Sequence, residues 1–144
     1  MKAKEYLLQL KKLDRLIENK KAELEHWQAL ATGTTVALNE NKVQTSPDPQ
    51  KIASAVLRIL EIKAEINDYM NRLIDTRLNI ISTIEKLNAG DYDLLHHVYV
   101  QNVSLSDYAD LRGNSYGWAK NRHSKALKRL QKALNGAAEH ENGQ

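Results

Sequence analysis

Ser104-Leu105-Ser106-Asp107-Tyr108-Ala109-Asp110-Leu111-Arg112-Gly113-Asn114-Ser115-Tyr116-Gly117-Trp118-Ala119-Lys120-Asn121-Arg122 is the stretch whose reading decides the fold. It opens with a hydroxyl at a helix cap and a carboxylate three residues on, a capping-box-like start. Helix is expected through Tyr108-Ala109-Asp110-Leu111-Arg112, and Gly113-Asn114 breaks it. Ser115 then caps a further helix from Tyr116 to about Leu134, ending at Asn135-Gly136. Two helices joined by so short a turn, crossing steeply, pass very close at one point. The crossing needs a small residue on the first helix and a residue able to adopt positive φ in the turn. Ala109 and Gly113, four apart, meet both demands.

Upstream, Asp91-Tyr92-Asp93-Leu94-Leu95-His96-His97-Val98-Tyr99 reads as a short helix capped by Asp91, with Leu94, Leu95, Val98 and Tyr99 turned inward. Gln101-Asn102-Val103 reads as a turn. Downstream, Ala126, Leu127, Leu130 and Leu134 anchor the last helix, while Lys120, Asn121, Arg122, Ser124 and Lys125 fall on its exposed faces. Those are side-chain types that reach phosphates and base edges. Ala119, Asn114 and Arg122 leave the paired helices short of large apolar residues, so either the second helix is rotated slightly and Trp118 or His123 supplies the missing contact, or the docking is looser and tightens on DNA. Gly117, early in the helix, lowers helix propensity by up to about 1 kcal/mol; close approach to a DNA backbone and neutral drift are both open as the reason for it.

The net charge of the 144 residues is only +3, but it is unevenly placed. Residues 1–90 hold 14 basic and 12 acidic side chains, and residues 91–110 hold four acidic and none basic. Residues 111–138 hold seven basic and none acidic: Arg112, Lys120, Arg122, Lys125, Lys128, Arg129 and Lys132. A local field of this kind attracts polyanions. A merely solvated helix face is the other reading of such a run, and the charges alone leave both open.

Before residue 91 the pattern changes to long heptads. Tyr6, Leu10, Leu13, Ile17, Leu24, Trp27 and Ala31 alternate steps of four and three, with Lys20 in the missing slot. This predicts a helix from about Lys2 to Ala31, roughly 45 Å long at 1.5 Å per residue. A break follows at about 32–48, rich in Gly, Thr, Asn and Pro, and part of it is expected to be mobile. Ser46-Pro47 and Asp48-Pro49 each offer a cap followed by proline at the first helical position. A second helix then runs from about Pro49 to Asn88. Ile52, Val56, Ile59, Ile66, Met70, Leu73, Ile80, Ile84 and Leu87 form its stripe, interrupted by Lys63 and Arg77. Ile62, Tyr69, Ile74, Leu78 and Ile81 flank it. Gly90 is expected to end this helix in the left-handed conformation. Two stripes so wide predict an antiparallel hairpin that also packs on the C-terminal part or on a second copy.

Composition bounds the chemistry. There is no cysteine, so disulfides and thiolate metal sites are excluded, which fits a reducing cytoplasm. No run approaches the roughly 20 apolar residues that span a bilayer, and the first residues turn amphipathic at once rather than forming a signal peptide. His96 and His97 point about 100° apart on a helix and cannot share a metal. HExxH, Gly-rich phosphate loops and nucleophile elbows do not occur. The expectation is a protein that is not an enzyme and uses neither metal nor cofactor. Asp91, Asp93, Asp107 and Asp110 read as helix-start charges. Most of Tyr92, Tyr99, Tyr108, Tyr116 and Trp118 fit core or rim packing by helical phase, with base stacking as the other reading.

At these residues a family resemblance can be stated. The segment Asp91–Leu134 looks like region 4 of sigma-70-type factors, in which a short helix precedes a helix-turn-helix. Ser124-Lys125-Ala126-Leu127-Lys128-Arg129-Leu130 resembles the end of that family's recognition helix. With Lys4-Glu5-Tyr6, Lys12-Leu13-Asp14-Arg15-Leu16-Ile17 and Ala31-Thr32-Gly33-Thr34-Thr35, the chain is similar to ArpU- and RinA-like regulators encoded by phages and prophages of Gram-positive bacteria. The resemblance fits the all-α fold that composition and helical patterning predict: a helical hairpin over 1–90, a helix-turn-helix domain over 91–136, and a flexible tail over 137–144. It also implies sequence-specific binding of double-stranded DNA and control of late phage transcription in the bacterial cytoplasm, with host RNA polymerase as a further contact. Arg112, Ser115, Tyr116, Gly117, Lys120, Asn121, Ser124, Lys125 and Lys128 are the expected DNA-binding residues. Lys120 and Asn121 would meet base edges, and Arg112, Lys125 and Lys128 would meet phosphates. The hairpin is expected to make a homodimer. Two other functions share these features: a small-terminase-like packaging protein, and a helical interaction protein that does not bind DNA.

Overall fold

The computed structural model describes residues 1–33 and 48–142. All regular structure among them is helical, with no strand. The mobile break and the Ser46-Pro47 cap expected from the sequence fall mostly outside the described residues. No helix among those described is long and apolar enough to cross a membrane.

Helix α1 spans Ala3–Thr32. It contains neither glycine nor proline, and Ile17 is its only β-branched residue before Thr32, so little opposes helix propagation. It stops where Gly33 takes φ +74° and returns its N–H to the Leu30 carbonyl at 3.2 Å. Helix α2 spans Pro49–Ile84. Asp48 caps it, accepting the Gln50 N–H at 2.9 Å, and Pro49 takes the first position, where no N–H is needed.

The end of α2 departs from expectation. It closes at Ile84 through tighter bonds, Lys86 N–H to Thr83 O at 3.2 Å and Leu87 N–H to Ile84 O at 3.0 Å. Asn88 is then extended (φ −67°, ψ 162°) because it caps the next helix, α3, Ala89–Leu95. Its Oδ1 accepts the Asp91 N–H at 2.9 Å, and its Nδ2 donates to Asp91 Oδ2 at 3.0 Å. Asn88 rather than Asp91 is therefore the cap. Gly90 lies inside α3 without positive φ.

After α3 the chain makes one π-helical turn, His96–Val100, with Gln101 N–H bonded to His96 O at 2.9 Å. The extra residue in that turn shifts the inward face. Tyr99 and Val100 are buried, and Val98 is only half-buried. Asn102, at φ 59°, ends it. Helices α4, Leu105–Leu111, and α5, Tyr116–Asn142, complete the chain. Helix α5 runs through Asn135-Gly136 into the segment expected to be a tail. One glycine costs only about 1 kcal/mol inside a helix, and Ala137-Ala138-Glu139 continue it.

The described residues pack as two compact units, Met1–Lys12 with Leu73–Gln144, and Leu13–Arg72. Packing therefore does not divide at residue 90. Ala3, Tyr6, Leu7 and Leu10 of α1 and Ile80 and Ile84 of α2 share one core with Leu94, Leu95, Tyr99, Tyr108, Ala126 and Leu130. Polar bonds seal it: the Tyr6 hydroxyl bonds Asn79 Oδ1 and Thr83 Oγ1, and Gln131 Oε1 accepts the Ala3 N–H at 2.7 Å. The amphipathic start of the chain is used as core.

In the other unit Ile17, Ala55 and Ile62 are buried. Lys20 Nζ lies 2.8 Å from Glu65, and Arg58 reaches Glu23 and Glu65 at 3.3 Å and Glu61 at 3.0 Å. Position 20 opposite 65 and 23 opposite 58 make the two helix segments antiparallel there. Lys20 thus interrupts the α1 stripe as an ion-pair partner. The inward seam of α2 also differs from the expected stripe. Val56 and Met70 are 45% and 44% exposed, while Ala55 and Ile62 are buried and Tyr69 and Thr76 half-buried. Within this unit the seam runs 52, 55, 59, 62, 66, 69, and Lys63 does not interrupt it; in the first unit 73, 76 and 80 are the less exposed positions, and Arg77 lies outside them.

Candidate nucleic-acid interface

Helix α4 begins at a Ser104 cap whose Oγ accepts the Asp107 N–H at 3.1 Å. It ends with Gly113 at φ +69°. Gly113 N–H bonds Asp110 O at 3.1 Å, and Asn114 N–H bonds Ala109 O at 2.9 Å, satisfying the last carbonyls of α4. Nothing lies within 4 Å of a Cβ built at Gly113, so backbone conformation rather than space demands glycine there. Ser115 then caps α5, its Oγ accepting the Trp118 N–H at 3.1 Å. Ala109 and Ala119 are 1% and 0% exposed, and α4 packs on α5. The small residue expected at the crossing, Ala109, is thus buried.

Asp93 of α3 holds α4 at both its middle and its end. Its Oδ2 accepts the Tyr108 hydroxyl at 2.6 Å, and both its oxygens take the Arg112 guanidinium, at 2.8 and 2.6 Å. Burial pushes the Asp93 carboxyl up, but the Arg112 fork and the Tyr108 hydroxyl outweigh it and hold the group below the usual carboxylate range. Four side chains then layer. Arg112 lies 5.6 Å from the Tyr108 ring, Tyr108 stacks on Trp118 at 6.2 Å and 9°, and Arg122 lies 5.9 Å from the Trp118 ring. A Cβ at Gly90 would come within 2.4 Å of Arg122 Nη2, so Gly90 leaves room for that guanidinium. His123 is the second substitute contact, stacked on Tyr99 at 5.7 Å and hydrogen-bonded to its hydroxyl at 2.7 Å.

Asp91, 1% exposed, accepts Arg129 Nη1 on both oxygens at 2.9 and 3.0 Å. Neither Asp91 nor Asp93 acts only as a helix-start charge. Their partners lie 38 and 19 residues away, so no local spacing reveals them. The one signal in the sequence is that an all-acidic stretch precedes an all-basic one.

This sorts the seven basic residues. The three arginines, Arg112, Arg122 and Arg129, are turned onto the unit's own carboxylates or rings. The four lysines, Lys120, Lys125, Lys128 and Lys132, are exposed, and no carboxylate among the described residues pairs with them. At roughly 100° per residue, Gly117, Asn121, Ser124, Lys128 and Lys132 lie within an arc of about 80°. Lys120 and Lys125 flank it, and the buried Ala119, Ala126 and Leu130 lie opposite. Lys120 Nζ sits 5.6 Å from the ring of Tyr116, itself 53% exposed. Gly117 has only Ser115 Oγ near its Cβ position, at 3.9 Å, so packing does not require glycine there. Of the nine residues expected to bind DNA, eight lie along α5 or at its cap and only Arg112 is drawn off.

No group of three or more metal-ligating side chains comes together among the described residues. His97 Nδ1 donates to Asp93 O at 2.7 Å, and His96 Nδ1 accepts from Gln101 Nε2 at 2.8 Å. No family of proteins, no curated protein and no solved structure matches the chain.

Proposed function

We propose that the protein binds double-stranded DNA with α5 as recognition helix of a helix-turn-helix, and regulates transcription without being an enzyme. The observation that carries this reading is the lysine face of α5. Lys120, Lys125, Lys128 and Lys132 pair with no carboxylate among the described residues and stand beside Asn121 and Ser124 on a helix anchored by its opposite side. Free cations supply the phosphate attraction of DNA binding, and Asn121 and Lys120 are shaped for adenine and guanine edges. The early residues Tyr116, Gly117, Lys120 and Asn121 enter the major groove, and Lys125 and Lys128 lean on the backbone. Arg112 is held by Asp93 and acts on the fold instead.

The resemblance to sigma region 4 and to ArpU- and RinA-like regulators extends the proposal to late phage genes, a homodimer and a contact with host RNA polymerase. Selection of bound duplexes from a random pool tests it. Enrichment of one motif supports a sequence-specific regulator. Retention of no duplex favours a helical interaction protein instead.

A further inference from the structure

Helix α2 carries a second heptad seam, on the face opposite its buried one. Leu57 and Leu60 are 63% and 58% exposed, and Ile74 and Leu78 are 54% and 65% exposed. Between them Ala64, Asn67 and Asn71 continue the steps of three and four and are exposed as well. With Leu57 at heptad position a, the sequence a, d, a, d, a, d, a reads Leu57, Leu60, Ala64, Asn67, Asn71, Ile74, Leu78. Scattered single leucines on a surface need no explanation, but a seam of four large apolar residues in heptad register does.

We propose that this seam is the homodimer interface, and that two α2 helices pair through it in parallel and in register. The inference rests on the homodimer reading above and names the surface and orientation. Charge selects the orientation. In a parallel pair each position g meets position e of the next heptad on the other helix. Lys63 then meets Asp68 of the second copy, twice by symmetry. An antiparallel pair brings e against e, and would set Asp68 against Asp68 and Glu61 against Asp75. Lys63, Asp68 and Asp75 are exposed and make no ion pair among the described residues, so they are available to a partner. Asn71 at position a supplies the polar layer that fixes register in two-stranded coils, where two asparagines bond across the axis. The apolar ends then match like with like: Leu57 and Leu60 at one, Ile74 and Leu78 at the other.

The chain has no cysteine, which gives a clean test on the full-length protein. In the parallel pair Asn71→Cys sets two thiols across one layer and should oxidise to a covalent dimer. In an antiparallel pair positions a face positions d, so the two Asn71 positions fall in different layers and do not face each other. There, Ala64→Cys combined with Asn67→Cys, an a position facing a d position, would cross-link instead. Sedimentation of the wild type should give twice the 16.4 kDa chain mass. Leu60→Glu, at an exposed position, should return the single-chain mass with unchanged helical circular dichroism. A wild type that stays monomeric at tens of micromolar overturns the proposal together with the homodimer reading. A dimer that survives Leu60→Glu and gives no covalent species with Asn71→Cys overturns the seam alone. Cross-linking only in the double-cysteine variant overturns the parallel orientation.

Discussion

Arg112 grips both carboxylate oxygens of Asp93, 19 residues earlier, with Nε 2.8 Å from Oδ2 and Nη2 2.6 Å from Oδ1. The fork ties the end of α4 to α3 and lays the guanidinium against Tyr108. A lysine keeps the charge but cannot make two parallel bonds. Arg112→Lys and Asp93→Asn should each lower the melting temperature, and the double variant should lose little more than either single one. The salt dependence of DNA binding should not change. Unaltered melting with a salt slope reduced by one contact in Arg112→Lys would place Arg112 on a phosphate instead.

The meeting of α4 and α5 rests on Ala109, 1% exposed, and on the turn at Gly113. Ala109→Leu overpacks it at about 1–3 kcal/mol, roughly 4 °C of melting temperature for each kcal/mol. Gly113→Val forces a β-branched residue into φ +69°, at about 1–2 kcal/mol or more. DNA affinity should fall with both. Thermal melts check the first part and duplex titration the second. Ala109→Leu with wild-type melting would mean that no close crossing exists at this position.

Much of this was legible because it is local. Ser104 and Ser115 as caps, Gly113 as a left-handed turn residue and Ala109 as a small buried residue are short-range demands of backbone geometry, and the structure has each. The α5 face followed from its 3.6-residue period. What was not legible depends on distance. Asp91 and Asp93 looked like helix-start charges until Arg129 and Arg112 were brought to them. Gly90 looked like a helix end, while Asn88 competed better as a cap and the Arg122 guanidinium lies where a Cβ at position 90 would come. The stripe of α2 was misplaced by one residue at alternate steps. Val56 and Met70 are more apolar than the neighbouring Ala55 and Tyr69 and drew the stripe to the wrong face, while Lys63 and Arg77 beside Ile62 and Thr76 were the signal for the right one. The π-helical turn at His96–Val100 has no sequence signature here, and it turned Val98 aside.

Two half-buried histidines give the fold a pH dependence. His123 is pushed below its ordinary value by burial and by Lys4, and His96 by burial and by the neighbouring His97 and Arg77. Both therefore gain protons more readily in the unfolded chain. Stability should be complete above the unfolded histidine pKa, about 6.5, and should fall as pH drops below it. Asp93, whose folded pKa is depressed, adds a further loss at lower pH, from about 4 downward. His123→Gln should flatten the melting curve between about pH 7 and pH 5, leaving the His96 share. A wild type that melts higher at about pH 5.5 than at pH 7.5 would contradict the sign.

The central claim, that α5 reads duplex DNA, is tested most directly by titrating the full chain with its selected site and a scrambled duplex across a salt series. The wild type should prefer its site, with affinity falling linearly in log salt. Asn121→Ala should lose about 1–3 kcal/mol on the preferred site and relax preference at one base pair. Lys125→Ala should weaken both duplexes alike and reduce the salt slope by about one contact. Uniform losses from both substitutions would mean that the helix positions the protein without reading bases. No effect from either would make the lysine face a solvated surface, and the DNA-binding account would be wrong.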